Sequence, residues 1–200
     1  MNIDITNAKP ILFSADMVQA IWAGRKTMTR RVVNPQNITH YRENCPATVL
    51  YNMGCNDWAC PKCGGGVIPF TGSSDIHAKY IPEEILYVRE TWAETPKGYI
   101  YKADNHDYMG KWKPSIHMPK NAARIFLRVT DVSAERLQGI TETDAMDEGA
   151  TPEPPFSLPD SYRRGFIALW DSIYSKRDGG IYKWESNCWV WVYSFERIEI

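Results

Sequence analysis

Residues 34–84 break the apolar periodicity that runs through the rest of this 200-residue chain, and any fold must account for them. The segment is rich in Asn, Cys, Pro and Gly and includes Gly64-Gly65-Gly66. Structureless loops longer than about 15 residues are uncommon in compact domains, so something has to organise it. It holds Cys45, Cys55, Cys60 and Cys63, four of the five cysteines. Cys60-Pro61-Lys62-Cys63-Gly64-Gly65 has the form of a zinc knuckle: two thiolates three positions apart, followed by glycine, ligate one ion at about 2.3 Å while backbone amides turn toward the sulfurs. Cys45 and Cys55 stand nine residues apart, an irregular second half, and His40, His77 or Asp57 are alternative ligands to either. The expectation is a structural zinc on Cys45, Cys55, Cys60 and Cys63, which supplies folding energy that this polar segment lacks; free thiols are the other reading. Cys188, in Asn187-Cys188-Trp189, reads as a small buried hydrophobe.

The remaining residues carry ordinary α and β signals. With 44% hydrophobic residues the chain can bury one core, so it reads as a single α+β domain over 1–200 with 34–84 inserted. Ile11 to Ser14 suggests a short strand. Val18, Ile21 and Trp22 recur at helical spacing, with Ser14 or Asp16 as cap and Gly24 as a left-handed stop. Strands resume at 85–92, 99–102 and 124–137. Thr141 and Asp144 occupy capping-box positions before Gly149, and Phe166, Leu169, Trp170 and Ile173 stripe a helix over 162–174.

Charge is local rather than global. A net charge of −1 excludes a uniformly basic nucleic-acid binder. Residues 22–31 nevertheless hold four cations and no acid, and residues 111–128 hold five cations and no acid. Against these, residues 131–160 hold eight acids and Arg136 alone of the cations. No segment approaches the roughly 20 apolar residues of a membrane helix, and the N-terminus lacks the charged-then-apolar order of a signal peptide, so a cytoplasmic protein without a membrane partner is expected.

The run Gly24-Arg25-Lys26-Thr27-Met28-Thr29-Arg30-Arg31 gathers cations beside two hydroxyls directly after the first helix. Such a field disfavours a protonated lysine and attracts phosphates. The segment from Ile21 to Thr29 resembles the signature of the ASCH domain family, whose members carry a Gly-x-Lys-Thr-x-Thr element after their first helix. Ile11-Leu12-Phe13-Ser14, Leu86-Tyr87-Val88-Arg89-Glu90-Thr91-Trp92 and Trp189-Val190-Trp191-Val192-Tyr193-Ser194-Phe195 resemble its opening, central and closing strands. Together with the stretch from Trp112 to Pro119, they look most like ASCH proteins of phages and prophages. The resemblance implies a PUA-like mixed or antiparallel β-barrel with flanking helices, and RNA or a modified nucleoside as partner. It includes amidohydrolases acting on N(4)-acetylcytidine and members reported as ribonucleases.

In the amidohydrolase-like members the resemblance points to the motif lysine, the threonine three residues on, and a glutamate in a later helix. These fall on Lys26, Thr29 and Glu148. Cleaving an exocyclic amide needs a nucleophile, a base and a donor for the developing oxyanion, and these residue types suit those roles. In a regular strand Lys26 and Thr29 would face opposite sides, so the triad demands a turn or bulge there. Arg25, Arg30, Arg31, Arg89, Trp92 and His117 are the expected substrate-binding residues, Trp92 as a platform for a base. The alternative is a non-catalytic RNA-binding module in which the same basic surface holds a strand and the zinc segment widens the contact.

Overall fold

The computed structural model describes residues 4–33, 78–105, 107–156 and 158–200, the side chains of 177–178 excepted, and the backbone of four short strands between 38 and 69. In chain order the elements are β1 (Lys9–Leu12), α1 (Ala15–Trp22), β2 (Met28–Val32), β3 (Ile38–His40), β4 (Val49–Asn52), β5 (Trp58–Ala59), β6 (Val67–Pro69), β7 (Ile85–Arg89), β8 (Trp92–Thr95), β9 (Gly98–Tyr101), β10 (Phe126–Arg136), α2 (Glu142–Asp147), α3 (Ser161–Tyr174) and β11 (Trp189–Ile198). Cys45, Cys55, Cys60, Cys63, Asp57 and His77 lie outside the described residues, as does the side chain of His40.

The result is a mixed α+β fold with one seven-stranded mixed sheet, in which β1-β7-β10-β11-β2 form the main path. β1 runs parallel to β7, and the other pairs along the path are antiparallel. The expected barrel does not close: among the described residues no pairing joins β1 to β2, so the sheet is open between these edges. Side chains span the gap instead. The Arg31 guanidinium donates to the Leu12 carbonyl at 2.8 Å and lies 5.4 Å from the centre of the Phe13 ring. Within the stretch 34–84, β4 pairs antiparallel with β10 through Val49–Glu135, Leu50–Ala134 and Tyr51–Ser133, so part of that stretch belongs to the main sheet.

The long strands are covered on both faces, which explains their near-continuous apolar sequences. Trp189, Trp191, Tyr193 and Phe195 alternate into a core with Val18 and Ile21 of α1. Val190 and Val192 point the other way, into a core with Ala145 of α2 and Phe166 and Trp170 of α3. Fully burying an aliphatic side chain such as Val18 or Leu127 contributes about 1.5–3 kcal/mol. Ser14 caps α1 by accepting from the Met17 amide at 3.4 Å, and Gly24, at φ +69°, ends the chain's reversal after it. Thr141 and Asp144 form the expected capping box on α2. Cys188 is buried among the residues of the second core.

Gly149 is the position that lets α2 meet the end of α1. Its φ is +74°, and a Cβ there would lie 3.0 Å from the Ala20 Cβ and 3.1 Å from the Lys26 Cβ. Both the backbone conformation and the close approach therefore require glycine.

Candidate active site

Lys26 precedes β2 rather than belonging to it. An isolated antiparallel bridge joins it to Glu148, the C-cap residue of α2, while the Thr27 amide donates to the Asp147 carbonyl at 2.9 Å. This resolves the period-two objection. The chain leaves strand geometry before Thr29, so Lys26 turns onto the helix end independently of the alternation within β2.

The Lys26 ammonium is buried and finds three acceptors: the Met28 carbonyl at 2.7 Å, the Glu148 carbonyl at 2.7 Å and Glu148 Oε2 at 3.0 Å. Its pKa is held below that of an ordinary lysine, first by burial, with Glu148 pulling the other way and Arg31 and Arg30 adding smaller repulsions. The crowding by cations expected from the sequence is thus secondary to desolvation.

Arg30, on the face of β2 opposite Thr29, closes the network. Its Nε donates to Glu135 Oε1 at 2.7 Å, its Nη1 to Glu148 Oε1 at 3.3 Å and its Nη2 to Asp144 Oδ2 at 3.2 Å. Asp144 also accepts from the Thr141 amide, so one carboxylate caps α2 and holds Arg30. Two cations face three carboxylates. Burial pushes the Glu135 carboxyl up from its usual range, with Arg30 opposing. The buried charges are compensated by one another together with backbone groups, since isolated buried ions are prohibitive.

Lys26, Thr29, Arg30, Arg31 and Glu148 line one cavity of about 340 Å³. That volume lies within the roughly 300–1,000 Å³ range of small-molecule sites. The wall is otherwise largely apolar, with Phe13 on one side and Phe166 and Trp170 of α3 on the other. Lys26 lies 5.3 Å from the centre of the Phe13 ring. Thr29 is buried, and its hydroxyl makes no hydrogen bond to Lys26 or Glu148.

The other expected substrate residues are dispersed. Arg25 is exposed and lines a separate cavity beside Asp147 and Tyr162. Arg89 lines a third cavity, shared with Arg31, and donates to the Ile116 carbonyl at 3.2 Å. Trp92 is buried against Tyr99, with Lys113 4.5 Å above its ring, and His117 is exposed on a single helical turn; neither lines any of these cavities.

Glu135 is the site residue that sequence reasoning missed. It is an acid within the buried run Val132–Glu135 of β10, and it pairs across the sheet with Val190 of β11. Buried Glu90 pairs with half-buried Arg124 at 2.8 and 3.1 Å, outside the cavity. Among the described residues no group of three or more His, Cys, Asp or Glu is placed to hold a metal ion, and no helix is long and apolar enough to cross a membrane. Comparison with protein-family models, curated proteins and solved structures gives no match to this chain.

Proposed function

We propose that the chain is an ASCH-like, PUA-like hydrolase that removes the acyl group from an N4-acylated cytidine in the cavity beside Lys26. The convergence of Lys26, Thr29 and Glu148 on one largely apolar cavity of about 340 Å³ carries this reading. Ring walls suit a flat base, and a few convergent polar groups suit the reacting amide.

In this reading the Thr29 oxygen adds to the acyl carbon and its proton passes to the Lys26–Glu148 pair. The Lys26 ammonium stabilises the oxyanion, the C–N bond breaks as the proton returns to the departing amine, and water hydrolyses the threonyl ester. Thr29 closes its hydrogen bond only with substrate present, as catalytic contacts often do. Arg30 acts through Glu148 as a positioning residue.

The test is incubation with N(4)-acetylcytidine and measurement of cytidine and acetate. Turnover that is lost in Thr29→Val and Glu148→Gln supports the reading. Absence of turnover by the wild-type protein on acylated cytidines overturns it. The exposed Arg25 and the basic residues of 111–128 favour a second reading, a non-catalytic RNA-binding module, and salt-dependent RNA binding without turnover would support that one instead. Under either reading, Cys45, Cys55, Cys60 and Cys63 are proposed to hold a structural zinc.

A further inference from the structure

The third cavity, of about 480 Å³, lies between the unpaired edges β1 and β2 and shares Leu12, Arg31 and Tyr174 with the Lys26 cavity. Arg31, Lys79 and Arg89 line it together with Tyr80, Trp191 and Tyr193, and no carboxylate does so among the described residues. Three cations without an acid between them are a costly arrangement. Lys79, exposed at the rim, has its pKa lowered mainly by partial desolvation, with Arg31, Arg89 and Lys9 adding smaller repulsions.

Among the described residues these cations rest on aromatic rings, Arg31 on Phe13, Lys79 on Tyr80 and Arg89 on Tyr87, and no carboxylate pairs with them. Among the described residues, of the five donors of each guanidinium, Arg31 uses one on the Leu12 carbonyl at 2.8 Å and Arg89 one on the Ile116 carbonyl at 3.2 Å. Arg89 Nε is buried with no hydrogen-bond partner among the described residues. The nearby carboxylate Glu84 is already engaged by Lys9 and by the Ile81 amide at 3.1 Å.

We propose that this cavity receives the terminal phosphate of a nucleotide whose base occupies the Lys26 cavity, so that the substrate is a nucleoside monophosphate rather than a nucleoside. A terminal phosphate carries about −1.5 to −2 charges and three acceptor oxygens, which matches three convergent cations better than the single charge of an internal phosphodiester. Arg31, at the junction, touches both halves of the ligand. The proposal rests on reading the Lys26 cavity as an acylcytidine site.

Calorimetric titration of the full chain with N(4)-acetylcytidine, its 5′-monophosphate and inorganic phosphate tests it, alongside kcat/KM for the first two. The monophosphate should bind about tenfold or more tightly than the nucleoside, the scale of one charge-assisted contact. That ratio should collapse in Lys79→Gln, a rim substitution chosen because Lys79 is exposed, and in Arg89→Met with an unchanged circular dichroism spectrum. Equal affinity and equal kcat/KM for nucleoside and monophosphate would overturn the phosphate site while leaving the hydrolase reading intact. A phosphate advantage without hydrolysis of either compound would keep the site and overturn the hydrolase. A 5′-hydroxyl oligonucleotide that binds as tightly as the monophosphate, with affinity rising with length, would place an RNA strand there and overturn the proposal.

Discussion

Lys26 and Glu148 are joined through backbone and side chain at once: the Lys26 ammonium sits 2.7 Å from the Glu148 carbonyl and 3.0 Å from its carboxylate, and a backbone bridge links the same two residues. The contact spans 122 positions of sequence and ties the start of β2 to the end of α2. It is both a fold-closing contact and the centre of the candidate site.

Lys26→Met is therefore expected to remove activity and stability together. From the sequence, a lysine crowded by Arg25, Arg30 and Arg31 is held at an electrostatic cost, and deleting it should relieve repulsion. In the structure Arg25 lines a different cavity, and deletion leaves the Glu148 carboxylate short of a buried partner. Breaking a buried pair costs about 3–5 kcal/mol; with Arg30 still in place, the lower end is expected in urea unfolding. Thr29→Val should cost about 1 kcal/mol or less while removing hydrolysis, which separates chemistry from stability.

Arg30→Lys should destabilise the protein by about 3 kcal/mol despite keeping the charge. A lysine offers one point of charge where the guanidinium reaches Glu135, Asp144 and Glu148 together. Urea midpoints of Arg30→Lys and Arg31→Lys give the comparison. Arg31, whose donor contact among the described residues is one carbonyl on β1, should tolerate the change to within about 1 kcal/mol. Equal losses in the two variants would contradict the buried network.

Much of this arrangement was legible in the sequence because it is local. Ser14, Gly24, Thr141, Asp144 and Gly149 mark their helix ends through backbone requirements that act within a few residues. Long-range partnerships were not legible. Nothing near Arg30 in the chain announces Glu135, 105 residues away, because that contact depends on strand order and register. For the same reason Arg25, three residues before the start of β2, parts company with Arg31: Arg25 stays with the end of α2, whereas Arg31 faces β1. Closure of the sheet was misjudged because strand-like segments do not reveal whether the first and last edges meet.

Alkaline pH should weaken the fold through Tyr80. Burial raises its phenol from 10.0 to about 12, and its hydroxyl donates to the Pro10 carbonyl. Between those values the unfolded chain has released this proton and the folded chain still holds it. The folded state then binds more protons, so stability falls as pH rises, by at most about 1.4 kcal/mol per pH unit for one such group. Tyr193 is shifted the same way by burial and adds to the slope. Urea midpoints measured from pH 9.5 to 12 should fall more steeply for the wild type than for Tyr80→Phe. Parallel curves would show that Tyr80 titrates as it does in the unfolded chain.

The zinc expectation is tested without reference to the cavity. Cys60 and Cys63 stand in a sequence of knuckle form, and if they hold the proposed zinc, metal binding would be coupled to folding of that stretch. A reduced, chelator-free preparation should contain about one zinc per chain, and Cys60→Ser or Cys63→Ser should release it. With thiolates as the proposed ligands, acid should release the metal from the wild type as well, with protons replacing zinc on sulfur. β4 pairs with the part of β10 that carries Glu135, so loss of the metal has a route to the candidate site through that backbone ladder. Zinc removal should accordingly lower hydrolysis along with the unfolding midpoint. A metal-free wild-type protein with full activity would assign the four cysteines no structural ion.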